Sequence, residues 1–212
     1  MSDKIYEILE KEITKEKENE LKKLLEPYKG GLAGIAQINP IVGDLEYNSK
    51  KIVQHINLAQ NIGLDTVIFP ELALTGVLIE DIAKRHPFIV DENLKWLNEI
   101  SKITKKTTAI VGFIEKNGDE FCNSVAILSD GKIQNILGKS GGSVVINGIK
   151  YGILIGDDCS DINDDIDVLI NCSASESRTN KEQIKHGILS FTAKKYGVPL
   201  IYVNQVGAND SL

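Results

Sequence analysis

Three hydrophobic runs in the 212-residue chain end in a polar turn, and the residue types at those turns suit amide hydrolysis. In "VIFPELALTG" (67–76), Glu71 follows an apolar run and Pro70, which cannot donate to a β-ladder. A carboxylate just beyond a buried strand is well placed to be a general base with a raised pKa. In "NILGKSGG" (135–142), Lys139 stands at a loop entrance, where an ammonium can stabilise an oxyanion. In "GILIGDDCS" (152–160), the apolar run stops at Gly156 and two carboxylates, where a strand-to-helix turn would present a nucleophile. Gly156 has nothing to react with. A nucleophile at that turn would complete an amide-hydrolysing site.

The elements that must position these residues read as an alternation of strands and helices. "LAGIAQI" (32–38) and "DTVIFPE" (65–71) are expected buried strands on either side of an amphipathic helix over 48–63, opened by Asn48 and closed by Gly63. A helical region around 91–105 precedes a strand over 107–116. Asn117-Gly118, Asp130-Gly131 and Asn147-Gly148 are hairpin signals. They make 120–129, 132–137, 143–146 and 150–155 a run of antiparallel strands. A strand over 167–173, a helix over about 180–196 and a strand over 199–205 follow. Two β-α-β stretches thus flank a central run of hairpins, which predicts a layered α/β sandwich with mixed sheets.

Residues 1–30 form a segment apart, followed by a domain over 31–212. Ile5, Ile8, Leu9 and Ile13 recur at helical spacing, and Leu21, Leu24 and Leu25 resume the stripe. Glu7 with Lys11 and Glu18 with Lys22 are favourable i,i+4 pairs, and Pro27 with Gly30-Gly31 ends the helix. This arm is expected to pack on its own domain, the alternative being a partner-binding or dimerising role.

Composition narrows the partners. Net charge is −6, with lysines and arginines scattered among acids, so nucleic acid is not an expected partner. No apolar run approaches the ~20 residues of a membrane span, and the charged first 30 residues do not read as a signal peptide. Cys122, Cys159 and Cys172 lack a disulfide framework and fit a reducing cytoplasm. No Cys/His cluster has zinc-ligand spacing, and no metal or cofactor is expected. Asp161, Asn163 and Asp165 have the alternate spacing of a calcium loop. Ile166 stands where its glycine belongs and Cys172 where its closing glutamate belongs, so a solvated turn is the expected reading.

Four stretches resemble, in order, the nitrilase or carbon–nitrogen hydrolase superfamily: "IAQINPIVGDLEYN" (35–48), "FPELALTG" (69–76), "NCSAS" (171–175) and "YVNQVGAND" (202–210). Within it they look most like the glutamine-hydrolysing domain of glutamine-dependent NAD synthetase. The resemblance runs from Gly31 to Asp210 and implies a four-layer α-β-β-α sandwich with a Glu–Lys–Cys triad. Glu71 takes the position of the base, Lys139 that of the lysine, and Gly156 that of the nucleophilic cysteine. Val77, Asp157, Ser173 and Ser175 fall on the substrate pocket, Val77 where the subfamily usually has a tyrosine. Only "SGGS" (140–143) stands where the family has a long loop with a second glutamate.

The resemblance therefore implies a degenerate glutaminase-like domain with a structural or regulatory role. A homo-oligomer is expected, with a NAD synthetase domain or subunit as candidate partner. The alternative is an amidohydrolase, as a modified form of an active parent or with an unrecognised nucleophile. Cys159 does not suit that part, because three helical residues past the elbow displace a side chain by about 4.5 Å and turn it elsewhere. Cys172 is expected in the core, and Glu71 is expected to cap the following turn or to pair with Lys139. The family continues past "NQVG" with a hairpin that closes the sandwich, so the chain is expected to lack its last elements.

Overall fold

The computed structural model of the chain describes residues 14–27, 30–77, 83, 85–118, 120–157, 162–175 and 181–207. Among them nine strands form two sheets. β1 (Ala33–Ile35), β2 (Thr66–Ile68), β3 (Thr108–Asn117), β4 (Glu120–Ser129) and β5 (Lys132–Leu137) make the first, in sequential order. β6 (Gly142–Ile146), β7 (Ile149–Ile155), β8 (Val168–Cys172) and β9 (Leu200–Val203) make the second. β1, β2 and β3 pair in parallel, β4 and β5 continue antiparallel, and β6 pairs antiparallel with β7 before β8 and β9 run parallel. The helices among the described residues are α1 (Lys15–Leu25), α2 (Leu45–Ile62), α3 (Phe88–Ser101) and α4 (Lys181–Tyr196). The expected sandwich of mixed sheets is present.

Period-2 side-chain alternation divides the core into two layers. Ala109, Val111 and Phe113 of β3 join Phe69, Ile52, Ile56, Leu97 and Ile100 in a cluster between the first sheet and α2 and α3. Ile110, one residue out of step, joins Ile68, Val125, Ile127, Ile153, Ile155, Ile170, Cys172 and Val203 between the two sheets. The three Gly-containing turns sit where the sequence puts them, with Asp130 and Asn147 at positive φ.

Two helix boundaries differ from expectation. Asp44, not Asn48, opens α2, its carboxylate accepting from the Tyr47 N–H at 3.0 Å. Asn48 is fully buried inside the helix, where it accepts from the Ile41 N–H at 2.8 Å and donates to the Ile41 and Leu74 carbonyls at 2.7 and 3.0 Å. It serves as a clamp on two loops, a long-range role that local capping rules do not register. The region expected as helical over 91–105 is α3, three residues earlier at its start. Of the expected arm, α1 is described and ends before Pro27, while Ile5, Ile8, Leu9 and Ile13 lie outside the described residues. α1 buries none of its residues completely: Leu21 and Leu25 are half-buried, and Leu24 stays 63% exposed.

Candidate active site

Glu71 is delivered by a turn that the neighbouring strand has been shaped to receive. The Phe69 N–H donates to the Ile110 carbonyl of β3 at 2.9 Å, and the chain then folds over Gly112. A Cβ on Gly112 would lie 2.3 Å from the Pro70 carbonyl oxygen and 2.6 Å from the Leu72 nitrogen, so no larger residue admits the turn. Leu72 adopts φ +51, an uncommon conformation for a non-glycine residue. Gly76 closes the turn, donating to the Leu72 carbonyl at 2.8 Å.

The Glu71 carboxylate lies where the two sheets meet. Its Oε1 accepts from Asn123 Nδ2 of β4, and its Oε2 accepts from the Ala174 N–H at 2.8 Å, just beyond β8. Gln205 Nε2, past β9, donates to the Glu71 carbonyl at 2.8 Å. One residue thus ties the first sheet to two strand ends of the second.

Gly156 faces this carboxylate at the end of β7. A Cβ built there would stand 3.1 Å from Glu71 Oε1 and 3.3 Å from Oε2. Its φ of +67 is the left-handed geometry of a sharp turn out of a strand. Its N–H donates to the Cys172 carbonyl at 2.7 Å, and its carbonyl accepts from Asn171 Nδ2 at 3.1 Å. The backbone is held as an elbow, with no side chain on it.

Lys139 is not brought to this place. It is exposed in the short turn between β5 and β6, and among the described residues no hydrogen bond or ion pair joins it to Glu71. The expected Glu71–Lys139 pair is replaced by the Asn123 and Ala174 donors. The turn itself is fastened elsewhere: Ser143 Oγ donates to Asp164, and Lys150 Nζ lies 3.5 Å from the same carboxylate. The Ser143 hydroxyl, then the Lys150 charge, hold the Asp164 carboxyl below its ordinary range.

The remaining sequence candidates divide. Ser173 is buried; its Oγ accepts from the Tyr202 hydroxyl at 3.1 Å and from the Ser175 N–H at 3.3 Å. Ser175 is gripped by Asn204, which accepts from its N–H at 2.9 Å and donates to its carbonyl at 3.0 Å. Its hydroxyl donates to Asp157 Oδ1 at 3.4 Å, which places Asp157 beside the elbow. Val77 is half-buried at the end of the Glu71 turn. Cys172 is fully buried in the inter-sheet core, and burial, aided by the Glu71 charge, pushes its thiol up to about 12. Such a thiol carries almost no thiolate at neutral pH. Cys159 lies outside the described residues.

Asn123, Asn171, Gln205 and the Ala174 amide are partners that sequence reasoning missed. A signal existed for the first two: an asparagine interrupting an apolar strand is disfavoured there and needs a bonding reason. In both, the side-chain oxygen is buried without a partner while the nitrogen serves Glu71 or Gly156. Among the described residues no group of three or more His, Cys, Asp and Glu is gathered as a metal site, and no helix is long and apolar enough to cross a membrane.

Residues 32–140 match the carbon–nitrogen hydrolase family, a match that ends at the short turn beyond Lys139. Over 84% of its length the chain is 30% identical to the glutamine-dependent NAD(+) synthetase of Thermotoga maritima and spans 36% of that protein. With the enzyme of the same name from Synechocystis sp. the identity is 28%, over 84% of the chain and 40% of the relative. The solved structure of glutamine-dependent NAD+ synthetase from Acinetobacter baumannii superposes with a TM-score of 0.75 at 25% identity, covering 84% of this chain and 39% of that one. The amidase from Nesterenkonia sp. AN1, at 14% identity and a TM-score of 0.69 over 85% of this chain and 79% of its own, shares the fold.

Proposed function

The chain belongs to the carbon–nitrogen hydrolase family, and from that premise we propose that it is a glutaminase-like domain without amide hydrolysis that acts as a structural or regulatory partner. One observation carries the reading. A Cβ at position 156 would stand 3.1 Å from the Glu71 carboxylate, and the residue there is glycine. The surroundings support it: the lysine is exposed, and each oxygen of the base position accepts a structural hydrogen bond. The relatives' name supports a NAD synthetase domain or subunit as partner; a homo-oligomer belongs to the same proposal, and the net charge of −6 speaks against nucleic acid as a partner.

The test is ammonia release from glutamine and from simple amides. Loss of a triad nucleophile costs on the order of 10⁶ in kcat, so release is expected at the no-enzyme background. Release above background that disappears in Cys159→Ala would overturn the reading. It would favour the second one, an amidohydrolase with an unrecognised nucleophile. That alternative draws on the retention of Glu71 in place beside the elbow.

A further inference from the structure

α1 precedes the segment matched to the family, which begins at Leu32, so the shared fold does not account for it. It packs on α2. Between it and the C-terminal end of that helix lies a cleft of about 710 Å³. Sites for small organic molecules run from about 300 to 1,000 Å³, so the space suits a ligand of that size.

The lining is of two kinds. Leu25 of α1, Leu32 ahead of β1 and Ile62 of α2 are half-buried, with apolar surface left to the cleft. Lys22 and Lys23 of α1 stand exposed at its rim. Lysine stems can lie along apolar side chains while their ammonium groups stay in water. Lys22 Nζ is 3.5 Å from Glu18 with 47% of its side chain exposed, a weak surface pair that leaves it able to turn to a ligand. Among the described residues no ion pair engages Lys23. Glu26 is the acid in the lining, which the two lysines outnumber, in a chain whose net charge is −6.

The end of α2 sets a direction. Its last carbonyls carry partial negative charge, and its last turn holds no basic residue. An anionic group is therefore disfavoured beside Ile62 and favoured at the α1 rim, while an apolar body is favoured along the floor. We propose that this cleft binds a small amphiphilic anion, an unbranched apolar chain ending in one carboxylate. The head lies at Lys22 and Lys23 and the chain along Leu25, Leu32 and Ile62. The site goes beyond the proposed function, being independent of position 156.

Calorimetric titration of the full chain with octanoate, decanoate and dodecanoate, each below its micelle concentration, tests it. Saturable one-to-one binding is expected, tightening about tenfold from each acid to the next as two more methylenes are buried. Decylamine, with the same chain length and the opposite charge, is expected to bind at least about tenfold more weakly than decanoate. Lys22→Ala with Lys23→Ala should weaken decanoate about tenfold. Asn19→Trp, which fills the cleft from an exposed position of α1, should abolish binding. Circular dichroism checks that both variants keep the fold. Absence of saturable binding to the wild type would overturn the proposal and leave the lysines as partners for the end of α2. Equal affinity for decanoate and decylamine would overturn the anionic head, and binding unchanged in both variants would overturn the cleft as its place. Binding to phosphatidylglycerol vesicles without binding of dissolved decanoate would make the region a membrane contact and overturn a site for a single molecule.

Discussion

Glu71 and Lys139 both stand just beyond strands of the five-stranded sheet, yet the fold treats them in opposite ways. Glu71 follows β2, an interior strand, in a turn pressed onto Gly112 and bonded to β4, to the end of β8 and to the segment after β9. Lys139 follows β5, at the sheet's edge, in a turn that leaves its side chain in water. An interior strand end is surrounded by polar groups that must be paired, so a carboxylate there acquires structural work whether or not it has chemical work. An edge turn imposes no such demand. On the proposed reading, the base position persisted because the fold depends on it, while the nucleophile position, whose side chain only the reaction needs, did not.

The largest test of that contrast is Glu71→Ala. It strands the Asn123 Nδ2 and Ala174 N–H donors, and ~2–6 kcal/mol of stability is expected to disappear, at a cost of about 1–3 kcal/mol for each unsatisfied group. Urea unfolding reads this directly. A loss no greater than that of a surface substitution would remove the structural explanation for Glu71.

Gly156→Cys sharpens the same contrast from the other side. The substitution forces a β-carbon into a left-handed conformation, with an expected cost of ~1–2 kcal/mol. It also sets a thiol beside Glu71 while leaving Val77 and the short 140–143 turn as they are. An electrophile should label the new cysteine, and glutamine turnover should stay far below that of an intact relative. Turnover comparable to such a relative would show that the pocket had lost one atom group and nothing more.

Cys172 sits behind Glu71 and reports on how dry that side of the site is. Its thiol is raised from 9.0 to about 12, so the folded state favours the protonated form. The contribution to stability is fully present below pH 9 and is lost as pH rises from 9 towards 12, because the unfolded thiol ionises first. Urea midpoints at pH 8 and pH 10 should fall more in the wild type than in Cys172→Ala. Identical pH dependence in the two proteins would contradict a buried, protonated thiol. The smallest effect belongs to Lys139→Ala, which should alter stability by no more than ~0.5 kcal/mol. A larger loss would mean that the edge turn is not idle.

Much of this was legible from residues alone, because it depends on local periodicity and on which atoms a residue carries. The alternation of β3 separates Ala109, Val111 and Phe113 from Ile110 whatever the fold around them, and Asn117-Gly118 and Asp130-Gly131 fix two hairpins by backbone geometry. That Gly156 cannot attack an amide is likewise a property of the residue. The tertiary structure alone decided what surrounds Glu71. Among the described residues its carboxylate accepts from partners 52 and 103 residues away in sequence, joined only when the two sheets pack. The same holds for Asn48, which is within reach of a helix cap by sequence and a two-loop clamp in space. Lys139 had the right type at the right motif position, but a side chain's direction at a sheet edge is set by the length of the turn that follows, and here that turn carries the lysine into solvent.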